Sequence, residues 1–178
     1  ILNTDNIIFY CNSDLISSCR AWFQFIYFGH NPKLVSILNG GMKKWKLENK
    51  KTTNLKTQIT KSKYFAKENK NMVKIKSQIE TNINTKKFTI LDARSKNRFL
   101  GIDPEPRPGI KSGSIKGSKS LPLSELINPE DNTFLDKKKL KYLFNLREIN
   151  TNEVVMSCGS SVSAASLALA YSLINDDY

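Results

Sequence analysis

Short apolar runs alternate along the chain with longer runs in which apolar residues recur at helical spacing. The short runs, which are typical of buried strands, lie at residues 7–10, 34–38, 88–91 and 153–157. The runs that predict helices lie at residues 17–28, 42–47, 72–83, 95–100, 136–148 and 163–174. This alternation predicts an α/β fold with a mainly parallel sheet and helices on its faces.

The apolar pattern breaks between residues 51 and 70, where Lys, Asn and Thr dominate, and this stretch is predicted to be a linker. On either side of it, a strand ends in a cysteine, Cys11 or Cys158, and a loop and a helix follow. The first copy continues into a further strand and helix, whereas the second ends at Tyr178. We therefore expect residues 1–50 to be the second half of one domain and residues 71–178 to be a second domain without its last strand and helix. The chain is thus expected to be a fragment that lacks both ends.

Composition excludes several classes of protein. The chain is 39% hydrophobic, which is enough for a core and too much for a disordered chain. It contains no run of about 18 apolar residues that would predict a membrane span. It shows no secretory signal pattern, and we expect a cytoplasmic location without membrane contact.

The formal net charge of +12 comes mainly from lysine, with 23 Lys and 5 Arg among the 28 basic residues. The lysines are scattered from Lys33 to Lys141 rather than grouped with aromatic residues, as a nucleic-acid-binding face would require. We interpret most of them as solvated surface charge and expect no nucleic-acid partner.

Cysteine and histidine are scarce. Three cysteines, Cys11, Cys19 and Cys158, are too few and too widely spaced for a disulfide framework or a four-ligand zinc site. His30 is the one histidine in the sequence, which disfavours a histidine metal site and a Ser-His-Asp triad. We expect no metal and no cofactor.

Cys158 is the strongest candidate for chemistry. It follows a predicted strand and begins a loop of small residues that leads into a helix. Backbone N–H groups of such a loop and the positive end of the helix stabilise a thiolate and lower the pKa of the thiol. The thiolate can attack an electrophilic sulfur and hold it as a persulfide. A core cysteine without function is the alternative, and a polar loop at a strand end fits that alternative poorly.

Motifs in three stretches point to one family. Residues 158–164 are CGSSVSA, and residues 91–122 contain D-A-R, R-F-L-G, P-E-P-R and S-G-S-I-K-G. Residues 17–45 contain S-S-C-R-A-W, F-G-H and L-N-G-G-x-x-x-W. Together they resemble the two-domain 3-mercaptopyruvate sulfurtransferases of the rhodanese superfamily. The resemblance spans nearly the whole chain except the linker, and it implies two tandem rhodanese-like domains, of which the second is catalytic.

The resemblance implies a role for each matching residue. Cys158 would be the nucleophile, and the hydroxyl of Ser160 would relay a proton or bind the leaving enolate. Arg98 and Arg107 would bind the donor's carboxylate, which a guanidinium pairs with well. The cradle around the persulfide would be formed by Gly159, Ser160, Ser161, Val162 and Ser163. Asp92 and Arg94 are interpreted as structural.

The chain departs from the family's pattern at several positions. Ser161 stands where the family usually has Gly; if that position requires a positive φ, Ser destabilises the loop by about 1 kcal/mol. Ser114 replaces a His that we interpret as making a local structural hydrogen bond in the family's domain, so we expect its absence to have a modest effect. Cys11 stands where the first domain usually has Asp, at the position equivalent to Cys158. Because Asp14 lies in its loop and opposes a thiolate, we expect no second active site there. Cys19 is interpreted as helix core.

The favoured function is sulfur transfer from 3-mercaptopyruvate to a thiol acceptor, such as thioredoxin or a small thiol, or to cyanide, with release of pyruvate. Thiosulfate:cyanide sulfurtransfer is the first alternative, but those enzymes carry basic residues directly after the cysteine, where this chain has Gly159 and Ser160. A non-enzymatic rhodanese-like module is the second, and the presence of Cys158 argues against it. Phosphatase activity would need an Arg six residues after Cys158, and Ala164 stands there.

Overall fold

A computed structural model describes residues 1–12, 16–149 and 151–175. Asp14, which entered the prediction about Cys11, lies outside the described residues. The strands are β1 Ile7–Phe9, β2 Val35–Ile37, β3 Thr89–Asp92, β4 Lys119–Ser120 and β5 Val154–Ser157. The helices are α1 Ile16–Tyr27, α2 Gly41–Leu47, α3 Lys76–Thr85, α4 Lys96–Leu100, α5 Lys137–Asn145 and α6 Val162–Asn175.

All the strands pair in parallel, in two small sheets. β1 pairs with β2, with Ile8 opposite Ser36. The other sheet has the order β4-β3-β5, with Leu91 opposite both Lys119 and Met156. The predicted α/β class with a parallel sheet is confirmed. The short strand β4 was not predicted, since two residues are too few for a periodic signal.

Helices α1 and α6 pack against each other and join the two parts of the chain in one hydrophobic core. Cys19 and Trp22 of α1 and Leu167 and Ala170 of α6 are buried in that core. The core interpretation of Cys19 is confirmed, since its side chain is fully buried. Small residues occur in both helices, Ser, Cys and Ala in α1 and Ala and Ser in α6, and small side chains allow two helix backbones to approach closely.

Polar contacts tie the start of α2 to the segment that precedes α5. Lys44 Nζ lies 3.1 Å from Asp131 Oδ2, and Lys43 Nζ donates to the carbonyl of Pro129 at 2.6 Å. The backbone N–H of Phe134 donates to Asn39 Oδ1 at 2.9 Å. These bonds give the packing of the two parts a fixed register.

Helix boundaries follow local capping. Ser95 Oγ accepts a bond from the N–H of Arg98, and Asp136 Oδ1 accepts one from the N–H of Lys139, as expected of helix caps. The helix predicted at residues 72–83 begins only at Lys76, because the side chain of Gln78 accepts a bond from the N–H of Ile75 and fixes the first turn there. The predicted start of this helix at residue 72 is therefore wrong, and Ile75 is the residue just before its first turn.

Residues 51–69 contain no helix or strand and are largely exposed. Tyr64 is the exception: its ring stacks on that of His30, and its hydroxyl lies 3.2 Å from His30 Nδ1. Trp45 of α2 is half-buried, and its indole N–H donates to the carbonyl of Lys51 at 3.0 Å. Among the helices of the described residues, none is long and apolar enough to span a membrane.

Candidate active site

Strand β5 delivers Cys158 to the carboxyl edge of the three-stranded sheet. The N–H of Ala93, just after β3, bonds to the carbonyl of Ser157, so the ends of β3 and β5 meet at this edge. Cys158 is partly buried, whereas Gly159, Ser160 and Ser161 are exposed. Helix α6 begins immediately afterwards at Val162. The thiol therefore lies at the base of a short exposed loop at the start of a long helix.

The environment of Cys158 favours the thiolate. Burial acts to raise the pKa of the thiol, but hydrogen bonds from the Ser163 side chain and from the N–H groups of Ala164, Ser160 and Ser161 outweigh it. The pKa of Cys158 therefore lies below its ordinary value. A partly exposed thiol with a lowered pKa is the form of cysteine that acts as a nucleophile.

Two parts of this arrangement were not predicted from the sequence. The hydroxyl that bonds to the thiol is that of Ser163, whereas Ser160 approaches the thiol through its backbone N–H. Within the described residues, the exposed Ser160 hydroxyl makes no hydrogen bond. The N–H of Ala164 also reaches the sulfur, one residue beyond the predicted cradle. The first turn of α6 thus forms one side of the cradle.

Ser161 has a φ of 60°, in the left-handed region that favours glycine. Glycine, which the family that the loop resembles usually has at this position, adopts this conformation without strain. Since the N–H of Ser161 bonds to Cys158, the left-handed turn serves to point that N–H at the sulfur. Strained backbone conformations of this kind occur preferentially at functional loops.

The two predicted carboxylate-binding arginines both lie beside the Cys158 loop, in different surroundings. Arg107 is exposed, and its Nη1 donates to the carbonyl of Gly159 at 3.2 Å. Arg98 is partly buried, and a Cβ added to Gly159 would lie 3.2 Å from its Nη2. Glycine at position 159 is therefore the residue that leaves room for the Arg98 guanidinium.

Arg98 pairs with Glu105, a residue that the sequence analysis missed. Arg98 Nε and Nη2 donate to the two carboxylate oxygens at 3.1 and 2.5 Å. Hydrogen bonds from Arg98 and Arg94 outweigh burial and hold the pKa of Glu105 below its ordinary value, so it is ionised at neutral pH. Asp103 and Glu105 are the acidic residues between Arg98 and Arg107 in the sequence, and this grouping of opposite charges was the signal that could have revealed the pair.

Arg94 connects this pair to the sheet. It donates to Asp92 through Nε and Nη2, to Glu105 through Nη1 at 2.6 Å, and to the carbonyl of Gly113 at 2.7 Å. The hydrogen bonds to Asp92 raise the pKa of Arg94, with burial opposing them and Glu105 reinforcing them. The side chain of Asp92 is buried and that of Arg94 is largely so, and the bonds of Arg94 to Glu105 and Gly113 hold the 101–117 loop in place. This position agrees with the structural interpretation of both residues.

Cys11 has a partly similar environment. Its sulfur accepts a 3.0 Å bond from the N–H of Ser18 in the first turn of α1, as Cys158 does from Ala164 in the first turn of α6. Its thiol also donates to Ser18 Oγ at 3.0 Å. Part of the loop between Cys11 and α1 lies outside the described residues, and the absence of a second active site stays a prediction.

In the described part of the chain, no three His, Cys, Asp or Glu side chains lie close enough together to hold a metal ion. Two cavities of about 490 Å³ lie away from Cys158. One lies beside α2, and the other lies between β2 and α6. The loop of Cys158 lines neither.

Comparison with known proteins identifies similar chains. The family of Rhodanese-like domains matches residues 2–48 and 76–175. Human 3-mercaptopyruvate sulfurtransferase is 31% identical over 169 residues, which cover 92% of this chain and 55% of the human protein. Bovine thiosulfate sulfurtransferase is also 31% identical, over 96% of this chain and 58% of the bovine protein. The chain thus spans little more than half the length of these relatives.

A solved structure shows the same arrangement of elements. The crystal structure of SseA, from work on the 3-mercaptopyruvate sulfotransferases of Escherichia coli, superposes with a TM-score of 0.81 and 25% identity. The superposition covers 97% of this chain and 64% of that chain. Both parts of the chain, on either side of residues 51–69, therefore pack as they do in SseA.

Proposed function

The chain belongs to the Rhodanese-like domain family, and we propose that it is a sulfurtransferase in which Cys158 carries the transferred sulfur as a persulfide. The observation that carries the proposal is the environment of the Cys158 thiol, which receives hydrogen bonds from the Ser163 side chain and three backbone N–H groups. These donors stabilise negative charge on sulfur, which the proposed persulfide cycle requires when the Cys158 thiolate attacks and when it is released again.

The proposed donor is 3-mercaptopyruvate. The Cys158 thiolate attacks the donor's sulfur, an S–S bond forms and the C–S bond breaks. The electron pair of the broken bond goes to carbon, which gives the enolate of pyruvate, and protonation of that enolate releases pyruvate. Arg98 and Arg107, which both lie beside the Cys158 loop, bind the donor's carboxylate. The exposed hydroxyl of Ser160 lies on the solvent side of the loop, where it can donate to the enolate oxygen.

The second half-reaction returns the enzyme to its starting state. A nucleophilic acceptor, either a thiolate or cyanide, attacks the outer sulfur of the Cys158 persulfide; a bond from the acceptor to that sulfur forms, the S–S bond breaks, and its electron pair stays on Cys158 as the thiolate. A small thiol, thioredoxin or cyanide fits this role, since the loop is exposed at Gly159, Ser160 and Ser161. The cytoplasmic location stays a prediction.

Thiosulfate is the second candidate donor, because a thiosulfate sulfurtransferase is as similar to the chain as a 3-mercaptopyruvate sulfurtransferase. The loop itself favours 3-mercaptopyruvate. Gly159 and Ser160 are neutral, so the dianionic thiosulfate finds no cation directly after the cysteine.

We assign residues 1–50 to the second half of a non-catalytic rhodanese-like domain, residues 51–70 to the linker and residues 71–178 to the catalytic domain. In support, the two parts repeat a strand, a cysteine and a helix whose first turn bonds to that cysteine.

Mass spectrometry after incubation with 3-mercaptopyruvate tests the proposal. We expect Cys158 to gain the mass of one sulfur atom, and reduction to remove it. Cys11→Ser is the matched control and should still gain the sulfur, whereas Cys158→Ser should not. An unmodified wild-type Cys158, or equal labelling in Cys158→Ser, would contradict the proposed function.

A further inference from the structure

Glu105 is a buried acid at the edge of the candidate active site. Its side chain is only 2% exposed and lies between the guanidinium groups of Arg94 and Arg98. A Cβ added to Gly159 would lie 3.9 Å from Glu105 Oε2, so the carboxylate is also close to the loop of Cys158. Glu105 is thus both a hydrogen-bond partner of the arginines and a neighbour of Gly159, the residue that follows the nucleophile.

The charges around this carboxylate balance. Arg94 and Arg98 contribute two positive charges, and Asp92 and Glu105 contribute two negative charges, all joined by hydrogen bonds. Arg107 bonds to a carbonyl oxygen and, among the described residues, to no carboxylate. The four hydrogen-bonded side chains are therefore neutral together, and Arg107 adds one uncompensated positive charge beside the Cys158 loop.

Glu105 also fixes the orientation of Arg98. It occupies Nε and Nη2, whereas Nη1 has no hydrogen-bond partner among the described residues. Arg94, which is itself held by Asp92 and by the carbonyl of Gly113, keeps Glu105 from moving. The free edge of the Arg98 guanidinium is thereby held in one direction before a donor arrives, which lowers the entropy lost on binding.

We propose that Glu105 is a positioning and specificity-determining residue, which neutralises Arg98 and so adapts the site to a sulfur donor with a single negative charge. This role rests on the proposed sulfurtransferase function. A donor with one carboxylate matches the single uncompensated charge of Arg107 and the oriented Nη1 of Arg98. A dianion such as thiosulfate meets the same positive charge together with the nearby Glu105 carboxylate, which repels it.

Glu105→Gln tests the role of this charge, because it keeps the shape of the side chain and removes its negative charge. Single-turnover persulfidation of Cys158 is followed by mass spectrometry against the concentration of 3-mercaptopyruvate and of thiosulfate. We expect the ratio of the second-order rate constants to shift by roughly tenfold towards thiosulfate, because one extra positive charge lies beside the dianion. Rates with thiosulfate should also become more sensitive to salt.

Two further variants separate this role from a merely structural one. Glu105→Asp keeps the charge and should keep the wild-type donor preference. Its side chain is one carbon shorter, so weaker contacts with the arginines can lower both rates without changing their ratio. Glu125→Gln makes the same change at another Arg–Glu pair, with Arg147, which makes no hydrogen bond to the Cys158 loop among the described residues. It should leave the donor preference unchanged. Equal losses with both donors in Glu105→Gln would show that Glu105 only supports the loop, and would overturn the proposed role.

Anion binding gives a readout that does not require sulfur transfer. Alkylation of Cys158 by iodoacetamide is measured with added pyruvate or inorganic sulfate. Pyruvate should protect Cys158 of the wild type from alkylation better than sulfate does. In Glu105→Gln, the protection by sulfate should increase. If Cys158 accepts no sulfur but the protection pattern changes as expected, only the proposed function fails. If Cys158 accepts sulfur but neither the donor preference nor the protection by anions changes in Glu105→Gln, only the role of Glu105 fails.

Discussion

Arg107 donates a 3.2 Å hydrogen bond from its Nη1 to the carbonyl of Gly159. This bond fastens the 101–117 loop to the loop of Cys158 and places an exposed cation one residue from the nucleophile. The remaining N–H groups of the guanidinium stay available for a donor's carboxylate, because Gly159 offers only one acceptor.

Replacing Arg107 by Ala should reduce persulfidation of Cys158 by 3-mercaptopyruvate. A charge-assisted bond to a carboxylate contributes about 1.5–3 kcal/mol, which corresponds to a loss of roughly ten- to a hundredfold in the second-order rate constant. Arg107→Lys should recover part of the loss. Lys111→Ala is the control, since it removes an exposed cation from the same loop. A similar loss in Lys111→Ala would mean that Arg107 acts through general electrostatic attraction of the anionic donor and not through a specific bond to its carboxylate.

Arg98 and Arg107 should act together on the donor's carboxylate. The double variant Arg98→Ala, Arg107→Ala should weaken the use of 3-mercaptopyruvate far more than that of thiosulfate, measured as single-turnover rates. Equal losses for both donors would refute the carboxylate-binding role of the pair.

Replacing Ser163 by Ala should raise the pKa of the Cys158 thiol. The Ser163 hydroxyl bonds to the thiol and lowers its pKa, so its loss leaves less thiolate at neutral pH. The rate of alkylation by iodoacetamide should fall at pH 7, and the midpoint of its pH profile should move to higher pH. At high pH, the rates of the variant and of the wild type should converge. Ser160→Ala is the matched control, because Ser160 reaches the thiol through its backbone. An unchanged midpoint in Ser163→Ala would contradict the assignment of this hydrogen bond.

Replacing Ser161 by Gly should stabilise the protein. Ser161 has a φ of 60°, which glycine adopts without strain. Relief of about 1 kcal/mol would raise Tm by about 2–4 °C in a protein of this size. Ser160→Gly should instead lower Tm, since Ser160 is not among the residues with positive φ and glycine there only increases the entropy of the unfolded chain. Thermal unfolding by circular dichroism measures both, and a lower Tm in Ser161→Gly would contradict the presence of strain.

Asp131 should make the stability of the α2 contact depend on pH. Hydrogen bonds from the Thr133 hydroxyl and N–H, followed by the contact with Lys44, lower its pKa to about 2, against the opposing effect of burial. Because the folded pKa lies below the unfolded one, the stabilisation is fully present above about pH 4 and is lost as the pH falls towards 2. Asp131→Asn should therefore lower the free energy of unfolding at pH 7, and the difference from wild type should shrink towards pH 3. Urea unfolding measures this difference. The neighbouring exposed Glu130→Gln should show no such effect.

Much of the architecture could be predicted from the sequence because it depends on local pattern. Apolar runs gave the positions of β1, β2, β3 and β5, and Ser95 and Asp136 marked the starts of two helices. Helix boundaries were missed where a side-chain hydrogen bond determines them. Ile75 lies just before α3, because its N–H donates to the side chain of Gln78.

The sequence by itself determined that Cys158 follows a strand and precedes a helix, and that small residues fill the loop between them. Those features depend on neighbours in the chain, and they are enough to lower the pKa of a thiol. Only the tertiary structure decided which hydroxyl bonds to the sulfur, that of Ser163, and which charges surround the loop. Glu105 lies 7 residues from Arg98 and 11 from Arg94, on a loop without helix or strand, where no periodic pattern predicts contact. Pairing of such charges is set by the path of the loop through space, so the charge balance of the site emerges only on folding.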